Sequence, residues 1–160
     1  MKIVPELRTN RCVLTEITTN DLSILHEIVE DELFQHYIPE LYEVVQTIDG
    51  LYQFISSFNT YAHNNEGYLW GIKVTNILIG FVAIMEWSSE PVLFYAMHPN
   101  YRSYGYAKEC VFEVIKFYNA FSNSHLHTEV FKENKASLSI LLSCGFMKVG
   151  VKNDKIILRM

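Results

Sequence analysis

The chain has 160 residues, 49% hydrophobic and 19% charged, which suits one globular domain with a substantial core and excludes a disordered chain. Its formal net charge of -5 argues against nucleic acid as the main partner, because phosphate contacts need a basic face. Cys12, Cys110 and Cys144 are widely spaced with no CxxC, which excludes a disulfide framework and a zinc site and reads as small buried hydrophobes.

In chain order, "RCVLTEI" alternates as a first strand. Thr19 or Asn20 then caps a helix that places Leu22, Leu25, Ile28 and Val29 on one face. Pro39 interrupts the next stretch. Ile48, Leu51, Tyr52, Ile55 and Phe58 recur at helical spacing, so a second helix runs to about His63, and "NNEG" is a turn. "YLWGIKVT" and "ILIGFVAIMEW" read as antiparallel strands joined at Thr75-Asn76, and "EPVLFYAMHP" as a third strand bounded by prolines. A helix follows Gly105, with Ala107, Cys110, Val111, Val114, Ile115 and Tyr118 on one side. "HLHTEVF" is a strand. "NKASLSILLSCGF" is a short helix capped by Asn134 and stopped at Gly145. "MKVGVKNDKIILRM" closes the chain as a hairpin turning near Asn153-Asp154. Antiparallel strands early and a βαβα segment late predict a mixed sheet in one α/β domain spanning residues 1–160, not a doubly wound parallel sheet. No apolar run reaches the ~18 residues of a membrane span, and nothing at the N-terminus reads as a signal peptide. The expected location is the cytoplasm, with no membrane or nucleic-acid partner and no metal.

The turn from Tyr101 to Lys108 joins a strand to a helix. Gly105 lets the backbone approach a ligand closely, and the first amides of a helix converge on anions. Arg102 and Lys108 add charge. Taken alone, the same turn also suits an ordinary strand-to-helix connection. The second constellation, Asn134, Ser137 and Gly145-Phe146, lies one helix and one strand further on.

These residues in this element order resemble the GNAT N-acetyltransferases. Members carry Arg/Gln-x-x-Gly-x-Gly/Ala at the start of the central helix, here Arg102, Gly105 and Ala107. Around the next helix they carry Asn-x-x-Ala/Ser and then Gly-Phe, here Asn134, Ser137, Gly145 and Phe146. The opening "LRTNRCVLTEIT" is similar to the branch that includes ribosomal-protein alanine acetyltransferases. The resemblance implies a single-domain fold of a mostly antiparallel mixed sheet with two splayed central strands. It implies acetyl-CoA as co-substrate, paired along the backbone of Tyr95, Ala96 and Met97. The diphosphate would sit on Ser103, Tyr104, Gly105, Tyr106, Ala107 and Lys108, with Arg102 beside it and Asn134 opposite. An amine would attack directly, so no nucleophilic cysteine is required.

Two family features are absent. The tyrosine seven positions after the asparagine is Leu141 here, so Ser137 is the candidate proton donor to the thiolate. An acid two before the "IGY" of the central strand is Val92 when aligned on Tyr95, so Glu86, at the end of the preceding strand, is the candidate proton acceptor. His98 reads as a structural partner of the turn. In this fold the first two helices wall the acceptor site, and here they bring Phe34, His36, Tyr37, Tyr42, Tyr52 and Tyr61; as a lining these suit a peptide terminus or a small aromatic or polyamine-like amine, and the same residues equally suit core or rim. The expected protein is an acetyl-CoA-dependent N-acetyltransferase, monomer or homodimer; the alternative is a GNAT-fold module that binds acetyl-CoA without turnover. Nothing like a P-loop, or a GxGxxG followed by a ribose-binding acid, supports a nucleotide or flavin module.

Overall fold

The computed structural model describes residues 3–160. The chain runs β1 (Leu7–Arg8), β2 (Val13–Thr15), α1 (Leu22–Val29), α2 (Glu32–Tyr37), α3 (Pro39–Val45), α4 (Ile48–His63), β3 (Gly67–Val74), β4 (Ile77–Met85), β5 (Val92–Met97), α5 (Tyr106–Phe121), β6 (His127–Phe131), α6 (Lys135–Ser143), β7 (Met147–Lys152) and β8 (Lys155–Arg159). The strands form one mixed sheet ordered β1-β2-β3-β4-β5-β6-β8-β7. Every neighbouring pair is antiparallel except β5 and β6.

Alternation along the strands feeds two cores, one on each side of the sheet. Trp70, Ile72, Val82, Ile84 and Leu93 meet Cys110, Val111, Val114 and Tyr118 of α5 and Leu138 and Leu141 of α6. Leu69, Phe81 and Ala83 meet Leu25, Ile28 and Val29 of α1 and Leu51, Phe54 and Phe58 of α4. All six residues expected on the inner face of α5 are buried. The three cysteines are free and buried, as expected for small hydrophobes.

Several local expectations change. The first strand is cut to Val13–Thr15, where β2 is paired with β3. Thr18, in a capping box with Asp21, caps a 3₁₀ turn (Thr19–Asp21) that leads into α1, and the N-cap of α1 itself is Asp21 rather than Thr19 or Asn20. The carboxylate of Asp21 also meets Lys73 Nζ at 3.1 Å in a buried pair, which ties this entry to β3. Pro39 does not merely interrupt: it starts α3, because the first helical position needs no N–H. Two short helices therefore stand where the sequence showed only a break. Among the described residues, no helix is long and apolar enough to cross a membrane.

Candidate active site

β5 and β6 are parallel neighbours, but only Val92 and His127 are in register. His127 N–H also reaches Pro91 O at 3.0 Å. Beyond that point each strand stays with its antiparallel partner: β5 keeps six registered pairs with β4, and β6 keeps five with β8. The two part, and a cavity of about 720 Å³ opens between them. His98 N–H donates to Ile79 O on β4 at 2.7 Å. Backbone groups alternate sides along a strand, so those of Tyr95 and Met97 face the gap. Ala96 pairs with Phe81 of β4 and is also among the cavity-lining residues.

The turn closes one end of the cavity. A short 3₁₀ turn, Pro99–Tyr101, is followed by Ser103 and Gly105 with φ of +68° and +84°. Gly105 is the N-cap of α5 and provides no side-chain cap. The first N–H bonded back within the helix is that of Glu109, to Gly105 O at 3.1 Å. The amides of Tyr106, Ala107 and Lys108 therefore have no intrahelical partner. Ser103, Gly105, Tyr106, Ala107 and Lys108 all line the cavity. Positive-φ residues leading into a helix N-terminus make an anion site from backbone alone.

Tyr104 does not line the cavity; its ring is exposed and its carbonyl faces Arg11. Arg11 clamps the turn from outside. Its Nη1 donates to Tyr104 O at 2.9 Å, its Nε to Glu109 Oε1 at 2.8 Å, and its guanidinium lies 4.2 Å from the Tyr106 ring centre. Thr9 also hydrogen-bonds Glu109. Burial pushes the Glu109 carboxyl up, but the hydrogen bonds from Thr9 and Arg11 outweigh it and hold the group below the usual carboxylate range.

Arg102 lines the cavity, yet its guanidinium is engaged. Nη2 lies 2.6 Å from Asp31 Oδ2 and 3.2 Å from Met97 O. His98 sits behind the turn and outside the cavity. Its Nδ1 accepts from Asn100 N–H at 3.1 Å, so Nε2 carries the proton toward Glu27, 2.8 Å away. It anchors the turn to α1.

Asn134 caps α6 through its side-chain oxygen, 3.3 Å from Ser137 N, and both residues line the cavity. Ser137 Oγ stands 2.7 Å from the Tyr95 hydroxyl, which spans the gap from β5 to α6. Burial pushes the Tyr95 phenol up to about 12, against the pull of the Ser137 hydrogen bond.

The other face of the gap is built from side chains. Phe94 comes from β5, Glu129 and Phe131 from β6, Leu33, Phe34 and Tyr37 from α2, Glu40 from α3 and Lys155 from β8. The Phe131 ring lies 6.2 Å from those of His36 and Tyr37, with Lys155 Nζ 4.9 Å above it and Glu40 Oε1 3.4 Å from that cation. Val130 packs on the α5 side, so by alternation Glu129 projects to this one. Its carboxylate has no hydrogen-bond or ion-pair partner among the described residues.

Glu86 is not brought to this place. β4 runs antiparallel to β5, so its C-terminal end lies beside Val92, at the opposite end of β5 from Met97. Glu86 is exposed there with φ +60°. Of the aromatic residues expected on the acceptor wall, Phe34 and Tyr37 line the cavity, and His36 meets Tyr37 edge-on and stacks on Phe131. Tyr42 and Tyr61 pack against the core under α4, and Tyr52 is exposed. Arg11 and Glu129 carry no local sequence signal, and Asp31 carries only that of an N-cap; each also matters through a partner or a wall distant in the chain.

The comparisons agree with this geometry. Residues 11–147 match the Acetyltransferase (GNAT) domain family. The uncharacterized N-acetyltransferase YoaA of Bacillus subtilis (strain 168) is 28% identical over 157 residues, covering 92% of this chain and 85% of that protein. A candidate ribosomal-protein-serine acetyltransferase from Vibrio cholerae superposes with a TM-score of 0.80 at 22% identity, over 100% of this chain and 99% of its own. RimL, a ribosomal L7/L12 α-N-protein acetyltransferase in complex with coenzyme A, gives 0.84 at 10% identity, over 97% and 96%. A cavity floored by a glycine-capped helix between parting strands, in a chain matched to this domain over most of its length, makes the protein a GNAT-family acetyltransferase.

Proposed function

We propose that the protein transfers the acetyl group of acetyl-CoA to a primary amine, a protein N-terminus or a small amine, by direct attack. The opened β5–β6 gap carries this reading. One cavity joins a free strand edge, an uncapped helix N-terminus and an aromatic wall with a free carboxylate. Its volume falls within the ~300–1,000 Å³ of small-molecule sites. RimL, a close structural match, was solved with coenzyme A. Acetyl-CoA supplies an activated thioester carbonyl.

The protein's own groups divide the work. Tyr95 and Met97 offer backbone groups to the pantetheine arm as another strand would. The amides of residues 106–108, with Lys108, hold the diphosphate. Asn134 and Ser137 face them across the gap. Ser137 and Tyr95 place two hydroxyls 2.7 Å apart where the sulfur departs. Burial holds the Tyr95 phenol protonated, so it can donate a hydrogen bond. The pair therefore stabilises the leaving sulfur by donating hydrogen bonds.

Attack needs a neutral amine, and an α-amine of reference pKa ~7.7–8.0 gives up its proton far more readily than an alkyl amine of ~10.4. Glu129, rather than Glu86, has the place to take that proton, directly or through water. Free buried thiols fit a cytoplasmic enzyme.

The test is thiol release from acetyl-CoA across peptides, ribosomal proteins and small amines, with mass spectrometry of the products. Acetylated amine appearing in step with free CoA thiol is the expected result. CoA binding with no acetylated product from any amine class would leave a binding module instead.

A further inference from the structure

We infer that Arg102 is a positioning residue for the amine side of the cavity, fastening helix α2 to the exit of β5 instead of holding phosphate. The inference rests on the acetyl-transfer reading for which side is which. The guanidinium sits between two elements: Nη2 meets Asp31 Oδ2 at 2.6 Å and Met97 O at 3.2 Å. The same Asp31 oxygen caps α2, accepting from Leu33 N–H at 3.1 Å and Phe34 N–H at 3.3 Å. A helix of six residues has no stability of its own and keeps its place by caps and packing. This helix puts Leu33, Phe34 and Tyr37 into the amine wall. Arg102 thus ties the strand that lines the co-substrate side to the helix that shapes the other side.

Charge points the same way. The Arg102 and Asp31 side chains are 31% and 16% exposed, a close pair whose charges cancel locally. Lys108 lines the same cavity and its ammonium has no ion-pair partner among the described residues. Lys108 is the cation left for a diphosphate.

The experiment is calorimetric titration with CoA alone, together with hydrogen exchange of the Leu33–Tyr37 amides, on wild type, Arg102→Ala, Asp31→Asn and Lys108→Ala. Arg102→Ala should bind CoA within about twofold of wild type, and Lys108→Ala about tenfold more weakly. Exchange along α2 should quicken about tenfold in Arg102→Ala. It should quicken in Asp31→Asn too, because asparagine keeps the cap and loses only the ion pair. Arg102→Lys should restore part of the protection, since it keeps charge without the planar fork. With an amine found by the screen, KM for that amine should rise about tenfold in Arg102→Ala while KM for acetyl-CoA stays put. A tenfold loss of CoA affinity in Arg102→Ala, or unchanged exchange along α2, overturns the inference. If Arg102→Ala does not fold, Asp31→Asn gives the same readings and Arg102→Lys a smaller quickening along α2 with CoA affinity unchanged. Failure to find any acceptor would strike the acetyl-transfer reading alone, because the CoA and exchange results need no amine.

Discussion

The two faces of the β5–β6 gap are made of different material. On the α5/α6 face the groups offered to a ligand are mostly backbone: the edge of β5 and the uncapped amides after Gly105. On the α2 face they are all side chains, gathered from α2, α3, β5, β6 and β8. Backbone geometry is fixed by local sequence, so the first face must be spelled out by a glycine at φ +84° and an asparagine cap. A wall of side chains needs no such spelling. The first face therefore constrains its local sequence tightly, and the second does not.

The division can be broken most severely at Gly105. A valine there strains a left-handed residue by about 1–3 kcal/mol, and among the described residues, chain neighbours aside, its Cβ would approach Arg11 Nη2 at 3.4 Å. Gly105→Val should stay folded, with Tm a few degrees lower, while CoA affinity falls by about 10²-fold or more as the strained turn and displaced Arg11 clamp misplace the amides of the anion site. Unchanged CoA affinity in a folded variant would show that backbone does not build that face.

Glu129→Gln strikes the other face. CoA affinity should hold, while the rate at neutral pH drops about 10²-fold and partly recovers as pH rises and solution deprotonates the amine. Glu86→Gln is the companion measurement. The same pH-dependent loss there would move the base to the strand end and separate it from the cavity. Tyr95→Phe and Ser137→Ala touch the hydroxyl pair between the faces. Each should lower kcat about tenfold with no recovery at high pH, since what is lost is a hydrogen bond to sulfur and not a proton acceptor.

The smallest effect concerns the tie between the faces. Burial raises the Asp31 carboxyl, but Arg102 and the Phe34 and Leu33 amides outweigh it and hold the group below its ordinary value. A depressed carboxylate contributes stability above its unfolded pKa of ~3.9, and loses it as pH falls through the lower folded value. Wild type should therefore exceed Asp31→Asn by about 1 kcal/mol at neutral pH, some 2–4 °C in Tm. The gap should close in acid below about pH 4. A gap independent of pH would mean that the asparagine acts through packing rather than charge.

The fold from α4 onward was legible because its signals are local: Thr75-Asn76 and Asn153 at positive φ, Asn134 at a cap, Gly145 at φ +107° after α6. α2 and α3 were not, because short helices held by Asp31, Arg102 and core contacts have weak periodicity of their own. The same contrast holds at the site. The motif residues Gly105, Ala107, Asn134 and Ser137 all reach the cavity. Glu86 was placed by its nearness in sequence to a central strand, but antiparallel pairing carries that end away. Glu129 looked like any alternating strand residue until the divergence of β5 and β6 gave its face a cavity.

That divergence has a mechanical side. The N-terminal strands β1 to β5 and the C-terminal strands β6, β8 and β7 share one registered pair, Val92 with His127. Tension applied between β1 and β8 must cross this junction, where that pair, the packing of α5 and α6, the Tyr95–Ser137 hydrogen bond and the contacts of Phe131 and Lys155 with α2 and α3 carry the load. Under force the protein should tear there first, peeling β6 to β8 away as one piece. A ligand bonded to both lips of the gap would act as a rivet and raise the rupture force without changing either piece.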